Sequence, residues 1–132
     1  MAIFTKFEGI IAWQKARELC KLFDACIKRN PSLAKNFKLK DQMDASSGSI
    51  MDNIAEGFGR MGNGEFVHFL TIASGSAREF QSQLYRAFDK ELISEEERQV
   101  MQNLADKICR IIVSLIKNMQ QSDNRGYKFK KK

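Results

Sequence analysis

Residues 49–60 read S-I-M-D-N-I-A-E-G-F-G-R, residues 61–64 are the short break M-G-N-G, and residues 65–76 read E-F-V-H-F-L-T-I-A-S-G-S. Before the break, Ile50, Ile54 and Phe58 recur every four residues. After it, Phe66, Phe69, Leu70, Ala73 and Ala77 recur at spacings of three and four. Both stretches carry the periodicity of a helix with one apolar face. The glycines between them favour a stop and left-handed turn conformations. The segment therefore predicts two helices joined by a tight turn.

Working outward, the same pattern recurs. Ala12, Ala16, Leu19, Phe23 and Ile27 form one stripe, and Asn30-Pro31 closes it, predicting a first helix over about 10–28. A polar, basic connector at 32–38 leads to a second helix over about 39–60, with Leu39, Met43, Ser46 or Ser47, Ile50, Ile54 and Phe58 inward. The third helix is expected over about 64–90, and Phe80, Leu84 and Phe88 complete its stripe. Ser94-Glu95-Glu96-Glu97 has the form of a capping box, with the Ser94 hydroxyl serving the Glu97 amide and the Glu97 carboxylate reaching back. It opens a fourth helix over about 95–121 with Val100, Leu104, Ile108, Ile111, Ile112, Leu115 and Met119 inward. The prediction is an all-α protein, an antiparallel up-down-up-down four-helix bundle in one domain at 1–121, followed by a basic flexible tail at 122–132. Two runs of small residues, 45–49 and 73–77, lie at similar distances from the turn, so Gly48 and Gly75 are expected to meet in a close helix contact.

The words N-I-A-E-G-F-G-R and I-A-S-G-S, with W-Q-K-A at 13–16 and Gln42 upstream, resemble the four-helix-bundle proteins encoded in intervening sequences of bacterial 23S ribosomal RNA genes. That family is related to the accessory proteins of diversity-generating retroelements. The resemblance implies a small helical oligomer, a ring-like homopentamer, with nucleic acid or a reverse transcriptase as partner. It also marks Asn53, Glu56, Gly57, Arg60, Gly75 and Glu79 as structural positions of the family pattern. Glu56 and Arg60 can pair along one helix, and Glu79 is expected to join Gln42 or Ser49 in a buried polar network. Where relatives often carry basic residues just after the second-helix glutamine, this chain has Met43-Asp44-Ala45.

Composition narrows the function classes. With 132 residues and 43% hydrophobic content the chain fits one domain. The N-terminal residues lack the pattern of a secretory signal and no apolar run approaches membrane-spanning length, so a cytoplasmic protein without membrane contact is expected. Cys20, Cys26 and Cys109 are three widely spaced thiols, which suits neither a disulfide framework nor a zinc site. Gly57-Phe58-Gly59-Arg60-Met61-Gly62 matches a dinucleotide-binding word, but that word needs a preceding strand and here follows a helix. Glu65-Phe66-Val67-His68 is a single Glu-x-x-His, where a di-metal bundle needs two. No nucleophile has a local base. The reading is a non-enzymatic protein with no cofactor and no metal.

The net charge of +6 is unevenly spread. Residues 1–40 hold nine Lys or Arg against three acids, residues 41–124 hold eight against thirteen, and residues 125–132 add five cations. Basic ends of this kind attract phosphates, and Tyr127 and Phe129 interleave with the tail lysines as stacking partners for unpaired bases. The candidate nucleic-acid contacts, to RNA or DNA, are Lys15, Lys21, Lys28 and Arg29 at one end and Arg125, Lys128, Lys130, Lys131 and Lys132 at the other. A protein-interaction scaffold that docks a partner such as a reverse transcriptase is the alternative. A solvated basic face with a solubilising tail is the plainest account of the same residues.

Overall fold

The computed structural model describes residues 4–60 and 62–130, the last nine of these by backbone alone. All regular structure among them is helical. A single 3-10 turn, Phe7–Gly9, precedes α1 (Ile11–Arg29), α2 (Pro31–Lys35), α3 (Phe37–Gly59), α4 (Asn63–Asp89) and α5 (Glu95–Lys130). Four long helices thus form a helical bundle, with the short α2 in the connector. Among the described residues, no helix is long and apolar enough to cross a membrane.

Local chemistry explains each boundary. At the end of α1, Asn30 Nδ2 donates to the Cys26 carbonyl at 2.8 Å, satisfying an orphan acceptor of the last turn. Pro31 then occupies the first position of α2, where its missing N–H costs nothing. This turns the expected connector into a short helix. Asn36 Oδ1 accepts from the Leu39 amide at 3.3 Å, so α3 starts at Phe37, earlier than the apolar stripe alone indicates. Gly62 adopts φ 152°, a conformation closed to most side chains, and makes the turn between α3 and α4.

The end of α4 is built differently. Leu92 N donates to Ala87 O and Glu91 N to Phe88 O, both at 2.9 Å, which is the Schellman arrangement. Its left-handed position is filled by Glu91 at φ 60°, where glycine is the usual occupant. The capping box of α5 forms as its residues predict. Ser94 Oγ accepts from the Glu97 amide at 3.0 Å, and Glu97 Oε1 accepts from the Ser94 amide at 2.8 Å. Helix α5 continues past Gln121 to Lys130, through residues that the sequence pattern assigns to a tail. No proline interrupts 122–130, and Gly126 alone costs about 1 kcal/mol in a helix.

Phe23 of α1 and Phe80 of α4 meet edge to face at 5.4 Å in the middle of the core, both fully buried. Leu19, Met43, Ile50, Ile54, Leu70, Leu84 and Ile108 belong to the same core and have no exposed surface. Truncating either phenylalanine to alanine would cost about 3–5 kcal/mol. Among the described residues, the buried polar ones are Ser46, Ser47 and Gln83. Ser46 Oγ donates to Gln83 Oε1 at 2.6 Å and so satisfies both groups across α3 and α4.

The small-residue runs do pack, but not through their glycines. Ser49 and Ser76 hydroxyls lie 2.8 Å apart, Asn53 Nδ2 reaches Ser49 Oγ at 2.8 Å, and Ala73 and Ala77 are buried. Gly48 and Gly75 have open space where a Cβ would stand, which corrects the expectation that they meet. The close contact is at Gly57, where a Cβ would lie 2.6 Å from Phe69 Cβ.

Candidate nucleic-acid interface

Cations at the first end of the chain separate into distinct environments once α1 is built. Arg17, Lys21 and Lys28 are all exposed, and their spacings of four and seven return them to within about 40° of one another around the helix. They span about 16 Å of its axis. Among the described residues none of the three has an ion-pair partner, and Arg17 lies over the Trp13 ring at 5.9 Å. Exposed Asp24 stands on the same band between Lys21 and Lys28, so the band holds three cations and one acid and is a net positive face for a phosphate chain.

Lys15 and Arg29 do not join that band. Lys15 Nζ pairs with Glu18 at 3.3 Å on another side of α1. Arg29 reaches across to α5, with Nη2 3.1 Å from Glu97 Oε2 and Nε donating to the same oxygen at 3.1 Å. Asn30 Nδ2 donates to that oxygen at 2.9 Å. Glu97 therefore ties the end of α1 to the start of α5. Burial raises its pKa, but the Ser94 amide, Asn30, the Ser94 hydroxyl and Arg29 together hold the carboxyl at about 2. The same junction acts on Cys26, whose thiol is pushed up to about 12 by burial and by the Glu97 charge. Arg29 is thus a structural cation whose charge is already engaged.

Arg125, Lys128 and Lys130 stand on the helical backbone at the end of α5, and their side chains lie outside the described residues, as do Lys131 and Lys132 entirely. Before them the structure gathers a second basic surface that the sequence sums conceal. Arg78 of α4 and Arg110 and Lys117 of α5 line one shallow depression with Cys109, Val113 and Ser114. Lys107 and Arg110 border the adjoining apolar groove under Phe4, Ile11 and Leu115. Asp106 pairs with Arg78 at 3.1 Å and Arg110 at 3.3 Å. The segment holding these cations is acidic overall, but spacings of three and seven between 107, 110 and 117 are the signal of one helical face.

Positions marked by the family pattern divide in the same way. Asn53 donates to the Ser49 carbonyl and hydroxyl, both at 2.8 Å, and so supports the Ser49–Ser76 contact between α3 and α4. Glu56 Oε2 accepts from Arg60 Nε at 3.3 Å, and the Arg60 guanidinium covers the Phe69 ring at 5.1 Å. With Gly57 admitting Phe69, these residues close the turn end of the α3–α4 pair. Glu79 departs from its expected role. It is exposed and contacts Gln83, while Gln42 accepts from Arg86 and Ser49 bonds Ser76. Gly75 is exposed.

Among the described residues, no group of three His, Cys, Asp or Glu side chains is placed to hold a metal ion. All three thiols are raised by burial, which disfavours the reactive thiolate at Cys20, Cys26 and Cys109 alike.

A family model described as 23S rRNA-intervening sequence protein matches residues 8–114. A crystal structure of a protein with unknown function from the S23 ribosomal protein family of Bacteroides thetaiotaomicron VPI-5482 is similar at a TM-score of 0.71, with 24% identity. The likeness covers 81% of this chain and 99% of that one, and at this identity it supports the helical fold. No curated protein matches the chain significantly.

Proposed function

The chain belongs to the family of 23S rRNA-intervening sequence proteins, and on that premise we propose that it is a non-enzymatic, cytoplasmic, oligomeric bundle protein that binds RNA or DNA through its basic surfaces. The observation that carries the reading is the band of Arg17, Lys21 and Lys28, three exposed cations aligned on α1 that close no ion pair among the described residues and outnumber Asp24, the one acid on the band. Lys107 and Lys117, exposed and without an ion pair among the described residues, extend the case to α5, with Arg110 engaged by Asp106 between them. Recognition is of backbone charge and shape, and each phosphate neutralised releases counterions.

The reading takes the bundle as antiparallel, up-down-up-down. Contacts between successive helices support it, because they pair in opposing order. Ser46 meets Gln83 while Gly57 meets Phe69, and Ser74 meets Cys109 while Gln81 meets Gln102. It also takes the protein as a homopentamer. Exposed Ile72 and the open surface at Gly48 and Gly75 offer small and apolar area to another copy. Five copies would bring about 25 tail cations onto one assembly and make binding multivalent.

The test is a titration against labelled single-stranded RNA, duplex RNA and duplex DNA at about 50 and 200 mM salt, with the mass of the protein measured in the same buffer. Binding should weaken steeply with salt. The triple substitution Arg17→Ala, Lys21→Ala, Lys28→Ala should flatten the slope of log affinity against log salt by about 2–3. Absence of binding at the lower salt would refute the reading. It would favour the scaffold alternative, in which a protein such as a reverse transcriptase docks on the apolar groove lined by Phe4, Ile11 and Leu115.

A further inference from the structure

We infer that Trp13, Arg17 and Lys21 form a stacking site for an unpaired base of single-stranded nucleic acid, with the two cations taking the flanking phosphates. This rests on the nucleic-acid reading above and specifies which form is preferred. The three residues stand at successive spacings of four on α1, each about 6 Å further along the axis. With Gln14 and Glu18 they line a groove of about 200 Å³ on the outer side of the helix.

The chemistry of the groove differs from that of a merely charged face. Trp13 is half-buried, and Phe7 supports it edge to face at 5.1 Å. The preceding turn is pinned where Gln14 Nε2 donates to the Glu8 carbonyl at 2.8 Å. An indole fixed from behind and accessible at a groove loses little entropy when it stacks. Arg17, 5.9 Å from the ring centre, adds a guanidinium that can itself stack on a base. The acid on the rim, Glu18, is engaged by Lys15 at 3.3 Å. Bases inside a duplex present edges in the grooves, whereas an unpaired base offers its face to an aromatic ring. The site therefore selects strands with exposed bases.

Trp13 is the sole tryptophan, so its fluorescence reports on this site directly. The full chain is titrated with unlabelled oligouridylate and with duplex RNA of the same length, while binding is followed in parallel by anisotropy of labelled strands. Expected is saturable quenching by the single strand, at the concentration where anisotropy rises, and little quenching by the duplex. Trp13→Ala should weaken single-strand binding about tenfold or more. Because that variant also removes core-edge packing, Arg17→Ala with Lys21→Ala provides a second readout. It keeps the fluorophore and should flatten the single-strand salt slope by about 1–1.5. Single-strand binding with unchanged fluorescence, or equal quenching by the duplex, overturns the inference and leaves the broader reading standing. No anisotropy change with either nucleic acid overturns both.

Discussion

Replacing Glu97 with glutamine removes one negative charge from the junction of α1 and α5 while keeping shape and capping capacity. The folded carboxyl titrates at about 2 against an ordinary value of 4.5. At 1.36 kcal/mol per unit, that displacement corresponds to about 3 kcal/mol of preferential stabilisation of the ionised form. The Glu97 side chain is 14% exposed, which protects the contribution from screening, but its partner Arg29 is 58% exposed, which reduces it. An expected loss of about 2–3 kcal/mol follows.

The pH dependence has a definite sign. Because the folded pKa is depressed, the stabilisation is complete above the unfolded value of 4.5 and is lost as pH falls through the interval down to about 2. By about pH 3 less than half should remain. Urea unfolding of wild type and Glu97→Gln, followed by far-ultraviolet circular dichroism at one protein concentration, measures the difference at about pH 7 and 3. Other carboxylates cancel in that difference. A gap below about 0.5 kcal/mol at neutral pH, or one that is the same at both pH values, would refute the reasoning.

Other perturbations test separate parts of the fold. Gly57→Ala forces a Cβ to within 2.6 Å of Phe69 Cβ, an atom too near the backbone to move freely, and should destabilise by about 1–2 kcal/mol in thermal or urea unfolding despite alanine's better helix propensity. Gly75→Ala meets nothing in the chain and should be neutral or stabilising by up to about 1 kcal/mol. A loss of assembly measured by light scattering would instead locate it in a subunit contact. Glu91→Gly relieves a left-handed residue in the α4 terminus and should raise stability by about 0.5–1 kcal/mol, a gain that would be absent if the φ of 60° carried no strain. Deleting residues 125–132 should weaken nucleic-acid binding and flatten its salt slope; unchanged affinity and slope would exclude the tail from the interface.

The parts of this protein legible in its sequence are those whose partners are near in sequence. Ser94 and Glu97 cap each other across three positions, Glu56 and Arg60 pair across four, and each apolar stripe repeats within two turns. Periodicity therefore reveals four helices and the capping box. Asn36 and Pro31 also act locally, but their effect is hidden because a basic, polar run resembles a loop until the cap is recognised. What the sequence conceals are contacts between helices. Arg29 reads as one more free cation beside Lys28, and only folding brings Glu97 to it. Gly57 reads as a helix stop, although its packing on Phe69 gives it a steric reason to be glycine.

The same distinction bears on the candidate interface. Counting charge along the chain treats Lys15, Lys21, Lys28 and Arg29 as equivalent, yet attraction for a phosphate depends on how much of each charge is already compensated. Ion pairs remove Lys15 and Arg29 from the count, and the helical repeat adds Arg17 to Lys21 and Lys28. Summation over residues 41–124 errs in the opposite direction, because the acids at 95–97 cap and stabilise the start of α5 while Lys107, Arg110 and Lys117 lie about three to six turns further along. Since screening confines exposed charges to about 10 Å at 0.1 M salt, those distant acids do little to weaken the cationic face; the acid that does is Asp106, which pairs with Arg78 and Arg110 and leaves Lys107 and Lys117 as the open cations of that face. A binding surface in this protein is therefore set by local uncompensated charge, and the acidic total of its central segment is no argument against one there.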